Sequence, residues 1–340
     1  VRASAAFDRG YMKQSIWTTV TLVALFVTTL AITIRVGVAQ LPKPGFEVPG
    51  PAHVQAVAPP EEPTSILSTA CALRPDPQRT SASIRAEIAK RAASIVPSEI
   101  TLDRFRQVSA PALSQSSSSS SKDLGTAPRL LQASYSPRER IVLIDPTNFG
   151  ERYLKDVYGK PANLDPIVVL HETVGSANSA LNFFRTAHLN DADQASYHTL
   201  ITLDGTIIYL VPPDKRAFGA GNSMFLGSNG LEAVRTNPKL RPSVNNFAYH
   251  VSLETPPDGN DNGVRHSGYT EAQYQSLAWL VARTGVPNER ITTHKAVDLS
   301  ESRLDPRSFN FTRFMKLLNT YPRTSEIVIR CTDSTELSKS

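Results

Sequence analysis

Cysteine is scarce in this chain: two in 340 residues, Cys71 and Cys331. No second cysteine lies near either, which excludes a structural Cys-rich metal site. Whether the two pair or stay free thiols depends on the compartment, and their spacing leaves both readings open. A strong charge excess is also missing. The 36 Lys and Arg stand against 31 Asp and Glu, a net +5, and the signs are interspersed. No basic stripe forms, so nucleic acid is not an expected partner. Internal repeats are absent too. Polar and proline-rich stretches fill roughly half of the chain, so a core must come from the other half.

What is present begins with one long apolar run. Residues 1–15 carry Arg2, Arg9 and Lys13 against Asp8 and are expected to stay cytoplasmic. Ile16 to Ile34 follows without a charge, about the length of a bilayer-crossing helix. Residues 16–36 therefore read as a transmembrane anchor with the remainder exported. A cleaved export signal is the alternative, with Gly37-Val-Ala39 as the cleavage site. Residues 37–140 read as an extracytoplasmic linker. Pro42, Pro44, Pro49, Pro51, Pro59, Pro60, Pro63, Pro75 and Pro77 stiffen its first part, and the serines from Ser116 to Ser121 loosen its second. A short helix over 81–95, closed by Pro97, sits between them.

From Ile141 strand and helix signals alternate. Residues 141–322 are expected to form one mixed α/β domain, followed by a tail over 323–340 with a short strand at 326–330. Pro166-Ile-Val-Val-Leu-His-Glu-Thr173 reads as a buried strand that delivers His171 at its end. Ser176 to His188 reads as a helix capped by Ser176, with Leu181, Phe183 and Phe184 inward. Asp204-Gly205 between Tyr197–Leu203 and Thr206–Val211 is a hairpin signal. Asn246 to Glu254 alternates, with Phe247, Tyr249, Val251 and Leu253 on one face. Thr270 to Thr284 is an amphipathic helix with a Thr270/Gln273 capping box and a Gly285 stop. Ser308 to Asn319 is the last helix.

A lone histidine at a strand end is more often a packed core residue than a ligand, so the case for chemistry rests on combination. Catalytic zinc sites take three protein ligands from His, Asp, Glu or Cys and keep a fourth position for water. His171, His294 and Asp305 suit such a set, and Pro306 stiffens the loop that carries Asp305.

Five segments occur in order: VVLHET with His171, SYHTLITLDGT with Tyr197 and His198, YHVSLE with Glu254, ITTHKAVD with His294, and RLDP with Arg303 and Asp305. Together they resemble the zinc-dependent N-acetylmuramoyl-L-alanine amidases, whose fold is shared by the animal peptidoglycan recognition proteins. The resemblance covers about residues 141–320. It implies one Zn2+ held by His171, His294 and Asp305. It implies that Glu254 or Tyr197 handles the proton of the attacking water. Arg303 stands where the family usually has lysine and would stabilise the oxyanion.

Two departures stand out. The loop from Lys295 to Leu304 lacks the family's glycine and proline, and Asp298 within it is a competing carboxylate. Phe218-Gly-Ala-Gly221 has glycine where a histidine is common. His198 and His250 read as supporting or structural residues.

The resemblance implies hydrolysis of the bond between N-acetylmuramic acid and L-alanine of peptidoglycan. The expected setting is the cell envelope, with a monomer anchored through residues 16–34 and its domain in the periplasm or outside the cell. Two other readings compete. One is a non-catalytic peptidoglycan-binding module of the same fold. The other is a metal hydrolase acting on a different acylated amino sugar or peptide.

Overall fold

The computed structural model describes residues 71–93, 97, 100–107, 135–261 and 263–329. The expected membrane segment, the serine tract and Cys331 lie outside them. Among the described residues no helix is long and apolar enough to cross a membrane. The strands are β1 (Glu139–Ile141), β2 (Phe149–Glu151), β3 (Ile167–Glu172), β4 (Thr199–Ile201), β5 (Ile207–Tyr209), β6 (Lys215–Ala217), β7 (Phe225–Gly227), β8 (Gly230–Glu232), β9 (Ala248–Leu253) and β10 (Ile291–Thr293). The helices are α1 (Ser81–Ala93), α2 (Ala177–Arg185), α3 (Glu271–Ala282), α4 (His294–Val297) and α5 (Phe311–Leu318).

The central sheet has the order β1-β5-β4-β9-β3-β10. β4, β9, β3 and β10 run parallel, and their carboxyl ends share one edge. The Asp204-Gly205 turn joins β4 and β5 as an antiparallel hairpin, as expected. Gly205 has φ +80°, and a Cβ there would meet the Ala272 carbonyl at 2.8 Å. Only glycine fits both demands.

β3 is buried on both faces, as its unbroken apolar run demands. Val168 and Leu170, with Tyr249, Val251 and Leu253 of β9, pack on Leu277 and Leu280 of α3 and Phe314 and Leu318 of α5. Ile167 and Val169 pack on the opposite side with Ala220, Phe225 and Val244. Strand alternation therefore sends His171 to the second face and Glu172 to the first. The α3 cap is present in full: the Thr270 hydroxyl accepts from Gln273 N–H, and the Gln273 side chain accepts from Thr270 N–H. Gly285 ends that helix with φ +63°.

Several expectations are corrected. Phe183 is exposed while Phe184 is buried: the short α2 helix turns its Ala177 and Phe184 side to the core, and Phe183, about 100° away, lines the cavity instead. Phe247 precedes β9 and joins the second-face cluster. The fold also reaches past both expected domain limits. Phe105 is buried against Tyr209, with ring centroids 5.3 Å apart. Ile327 and Ile329 are buried in the same cluster. Residues 326–329 form no strand; they pack irregularly, with Gln107 N–H donating to Glu326 O at 2.7 Å and Ile327 N–H to Arg283 O at 2.9 Å. Part of the expected linker docks as well. Leu154 N–H donates to Ala72 O at 3.0 Å, Tyr153 donates to Glu87 of α1 at 3.3 Å, and Arg79 lies 3.8 Å from Asp191. Cys71 is disulfide-bonded.

Candidate metal centre at the strand ends

His171 closes β3, and His294 opens α4 directly after β10, the neighbouring parallel strand. Ligand sites of open α/β sheets lie at such carboxyl ends. The turn to α4 is set by Thr293, whose hydroxyl accepts from Ala296 N–H at 3.2 Å. Asp305 is brought alongside by the loop, with Lys295 N–H donating to Asp305 O at 2.9 Å. One ligand atom from each of His171, His294 and Asp305 lies within 4.8 Å of the others. Asp305 Oδ2 is 3.2 Å from His171 Nδ1 and 3.0 Å from His294 Nδ1.

Burial pushes the His171 imidazole down to about 4, against the Asp305 hydrogen bond that raises it. It is therefore neutral at pH 7, the form that offers a lone pair to a metal. For Asp305, burial favours the neutral acid, but the two histidine hydrogen bonds outweigh it and hold the carboxyl well below its usual range. Two imidazoles and a carboxylate form a donor set that suits zinc.

His294 and Asp305 line a cavity of about 900 Å³ with Tyr197, Phe183 and Arg303, among others, and His171 is fully buried behind them. The Tyr197 ring lies 4.7 Å from that of His171. Burial pushes the Tyr197 phenol well above its usual range and Asp305 adds to this, while Arg303 opposes it. Tyr197 therefore stays protonated: it can donate a hydrogen bond but is not a base at neutral pH. Arg303 is exposed at the cavity wall.

Glu254 is not brought to the cavity. The strand ends at Leu253 and the chain turns away. One carboxylate oxygen accepts from Ala177 N–H at 2.8 Å, the other from Leu203 N–H at 2.9 Å. It ties the start of α2 to the β4–β5 turn. Asp298 is also absent from the metal group. Its oxygens accept from the backbone N–H groups of Ser300, Ser302 and Arg303 at 3.0 to 3.1 Å. That knot, with Glu301 at φ +57°, turns the loop without glycine or proline.

Two groups beneath the site carry signals that become readable only with the strand register. Ser252 lies opposite His171, and its buried hydroxyl sits beside the Tyr197 phenol. His250, two residues earlier on the same face, touches His171 directly, with Nδ1 2.9 Å from Nε2.

A cleft at the ends of parallel strands, with two imidazoles and a carboxylate converging beside it, is the site this fold builds. Residues 164–308 match the family model described as N-acetylmuramoyl-L-alanine amidase. The chain is 32% identical over 143 residues to the 1,6-anhydro-N-acetylmuramyl-L-alanine amidase AmpD of Enterobacter cloacae, covering 41% of this chain and 63% of that protein. It is 33% identical over 141 residues to AmpD of Citrobacter freundii, covering 40% and 62%. The chain thus spans less than two thirds of the length of these relatives. A crystal structure of a selenomethionyl AmpD derivative aligns over 54% of this chain and 96% of that one, at 25% identity and a TM-score of 0.38.

Proposed function

We propose that the chain is a zinc-dependent N-acetylmuramoyl-L-alanine amidase. It hydrolyses the amide joining the lactyl group of N-acetylmuramic acid to L-alanine of the stem peptide. The observation that carries this reading is the convergence of His171, His294 and Asp305 within 4.8 Å, beside a cavity that His294 and Asp305 line. These residues would hold the ion through His171 Nδ1, His294 Nδ1 and an Asp305 oxygen. Zinc bound there supplies a Lewis acid for the amide carbonyl and a water acidified to near neutral pH.

The chain's own groups do the rest. Burial keeps both imidazoles in place, and the Asp305 carboxylate stays ionised. Tyr197, held protonated, donates a hydrogen bond to the carbonyl oxygen as it becomes an oxyanion. The Arg303 guanidinium faces the same oxygen from the cavity wall. The cleft walls position the sugar and peptide on either side of the scissile bond.

The wider setting belongs to the same proposal. Residues 16–36 anchor or export the chain, and residues 1–15 stay in the cytoplasm. The catalytic body works as a monomer on peptidoglycan in the cell envelope, in the periplasm or outside the cell. The charge-free run from Ile16 to Ile34 behind Arg2, Arg9 and Lys13 supports this layout.

The activity is tested by incubating the purified chain with peptidoglycan and following new L-alanine amino termini. Tyr197→Phe is expected to lower kcat by about 10²–10³-fold, the usual effect of losing one oxyanion donor, with KM and zinc content little changed. No release of L-alanine termini by the zinc-loaded wild type rules the activity out.

Glu254→Ala has a different expected outcome. It strands two backbone donors and lowers stability by about 1–3 kcal/mol, read from the urea midpoint, while turnover of the folded fraction is kept. A loss of turnover above about tenfold at unchanged zinc content restores Glu254 to the chemistry.

A further inference from the structure

His171 is fully buried and touched from both ends of its ring. Nδ1 faces Asp305 and Nε2 faces His250 Nδ1 at 2.9 Å. A histidine that gives Nδ1 to a metal must carry its proton on Nε2, and that N–H needs an acceptor in the buried floor. We propose that His250 is a positioning residue: its Nδ1 accepts the His171 Nε2–H and holds His171 in the tautomer and ring orientation that leave Nδ1 free for zinc. The inference rests on the zinc reading above.

Three observations support it independently of that reading. First, His250 is itself locked in place. Its backbone N–H donates to His198 Nδ1 at 2.9 Å, and its ring stacks on that of His198 with an interplanar angle of 12°. His198 in turn donates from Nε2 to Lys215 O at 3.1 Å. Second, among the described residues the one side-chain hydrogen bond of His250 is to His171. Third, the chain makes room for this ring. A Cβ on Gly219 would come within 2.5 Å of His250 Nδ1 and 2.6 Å of Cγ. The glycine that departs from the resemblance at Phe218-Gly-Ala-Gly221 is thus the space His250 occupies.

The test uses the full chain, stripped of metal, with zinc as the probe. Zinc affinity is read by competition with a chromophoric chelator. The Co2+ absorption spectrum reports ligand geometry, and the metal-free melting temperature reports folding. Wild type is expected to bind one zinc. His250→Ala should weaken zinc binding by about 10–100-fold and alter the Co2+ spectrum. His250→Asn, whose Oδ1 sits near the Nδ1 position, should recover binding to within about threefold of wild type. Gly219→Ala should weaken zinc binding as His250→Ala does, and should add nothing in a His250→Ala background. If folded His250→Ala binds zinc as tightly as wild type, or if His250→Asn is as weak as His250→Ala, the positioning role is overturned. Should His250→Ala not fold, Gly219→Ala and His250→Asn decide alone. A folded wild type that binds no zinc overturns the zinc reading and this inference together, and is distinguishable because it appears before any substitution is made.

Discussion

His294→Ala is expected to strip the protein of zinc and of activity while leaving the fold standing. In the proposed zinc site His294 would supply one of three ligands, and its imidazole forms part of the cavity wall at 7% exposure, so truncation opens the site to solvent rather than hollowing the core. Zinc content should fall from about one ion per chain to near zero at micromolar free metal. Peptidoglycan amide cleavage should fall at least about 10³-fold, since the lost polarisation is worth several kcal/mol and each 1.36 kcal/mol is tenfold. The metal-free melting temperatures of variant and wild type should agree. With zinc added, only the wild type should gain stability, because a ligand that binds the folded form alone stabilises it. Equal zinc in the two proteins removes His294 from the centre. Stripping the wild type with a chelator should reproduce the loss of activity, and zinc should reverse it.

Arg307→Met carries the second large effect, on stability. Glu172 follows His171 on β3 and points to the opposite face, where its side chain is 0% exposed and that of Arg307 is 4% exposed. Arg307 Nε donates to Glu172 Oε1. Glu172 Oε2 also accepts from Tyr269 at 2.8 Å and lies 2.9 Å from His266 Nε2. The remaining Arg307 donors hold the carbonyls of Gly259 and Gly263, both at 2.6 Å, and of Asp261 at 3.0 Å. The guanidinium thus pins the segment after β9 to the sheet. Removing it leaves a buried carboxylate without its cation, which costs about 3–5 kcal/mol. Domains of ordinary stability have about 5–15 kcal/mol to lose, so the urea midpoint, followed through Trp279 fluorescence, should drop by about a fifth or more. Glu172→Met with Arg307→Met should recover much of the loss, since no buried charge is then stranded. A single variant within about 1 kcal/mol of wild type would show that the network is relaxed by water.

The local elements were legible because their signals are short-range. The capping box of Thr270 and Gln273, the stop at Gly285 and the Asp204-Gly205 turn each depend on a few neighbouring residues, and each stands as read. Phe183 and the segment around Ile327 were misplaced for a common reason. An apolar residue announces that it is fit for burial, but which surface receives it depends on partners far away in the chain. Phe105 shows the same thing from the other side. It sits in what composition marks as linker, yet Tyr209 and the α3 helix offer it a place in the core.

The site divides along the same line. Residue type and order, with the family resemblance, were enough to nominate His171, His294 and Asp305, because zinc chemistry restricts ligands to few side chains. Glu254 was nominated by the resemblance as a proton acceptor and is instead held by two backbone amides. The strand register and the turn after Leu253 decide where a terminal side chain goes, and neither is written in local sequence. The partnership of His250 with His171, and the reason for glycine at 219, likewise appear only when β3 and β9 lie side by side and a distant loop crosses beneath them. Chemical identity is local to a residue; proximity is a property of the packed chain.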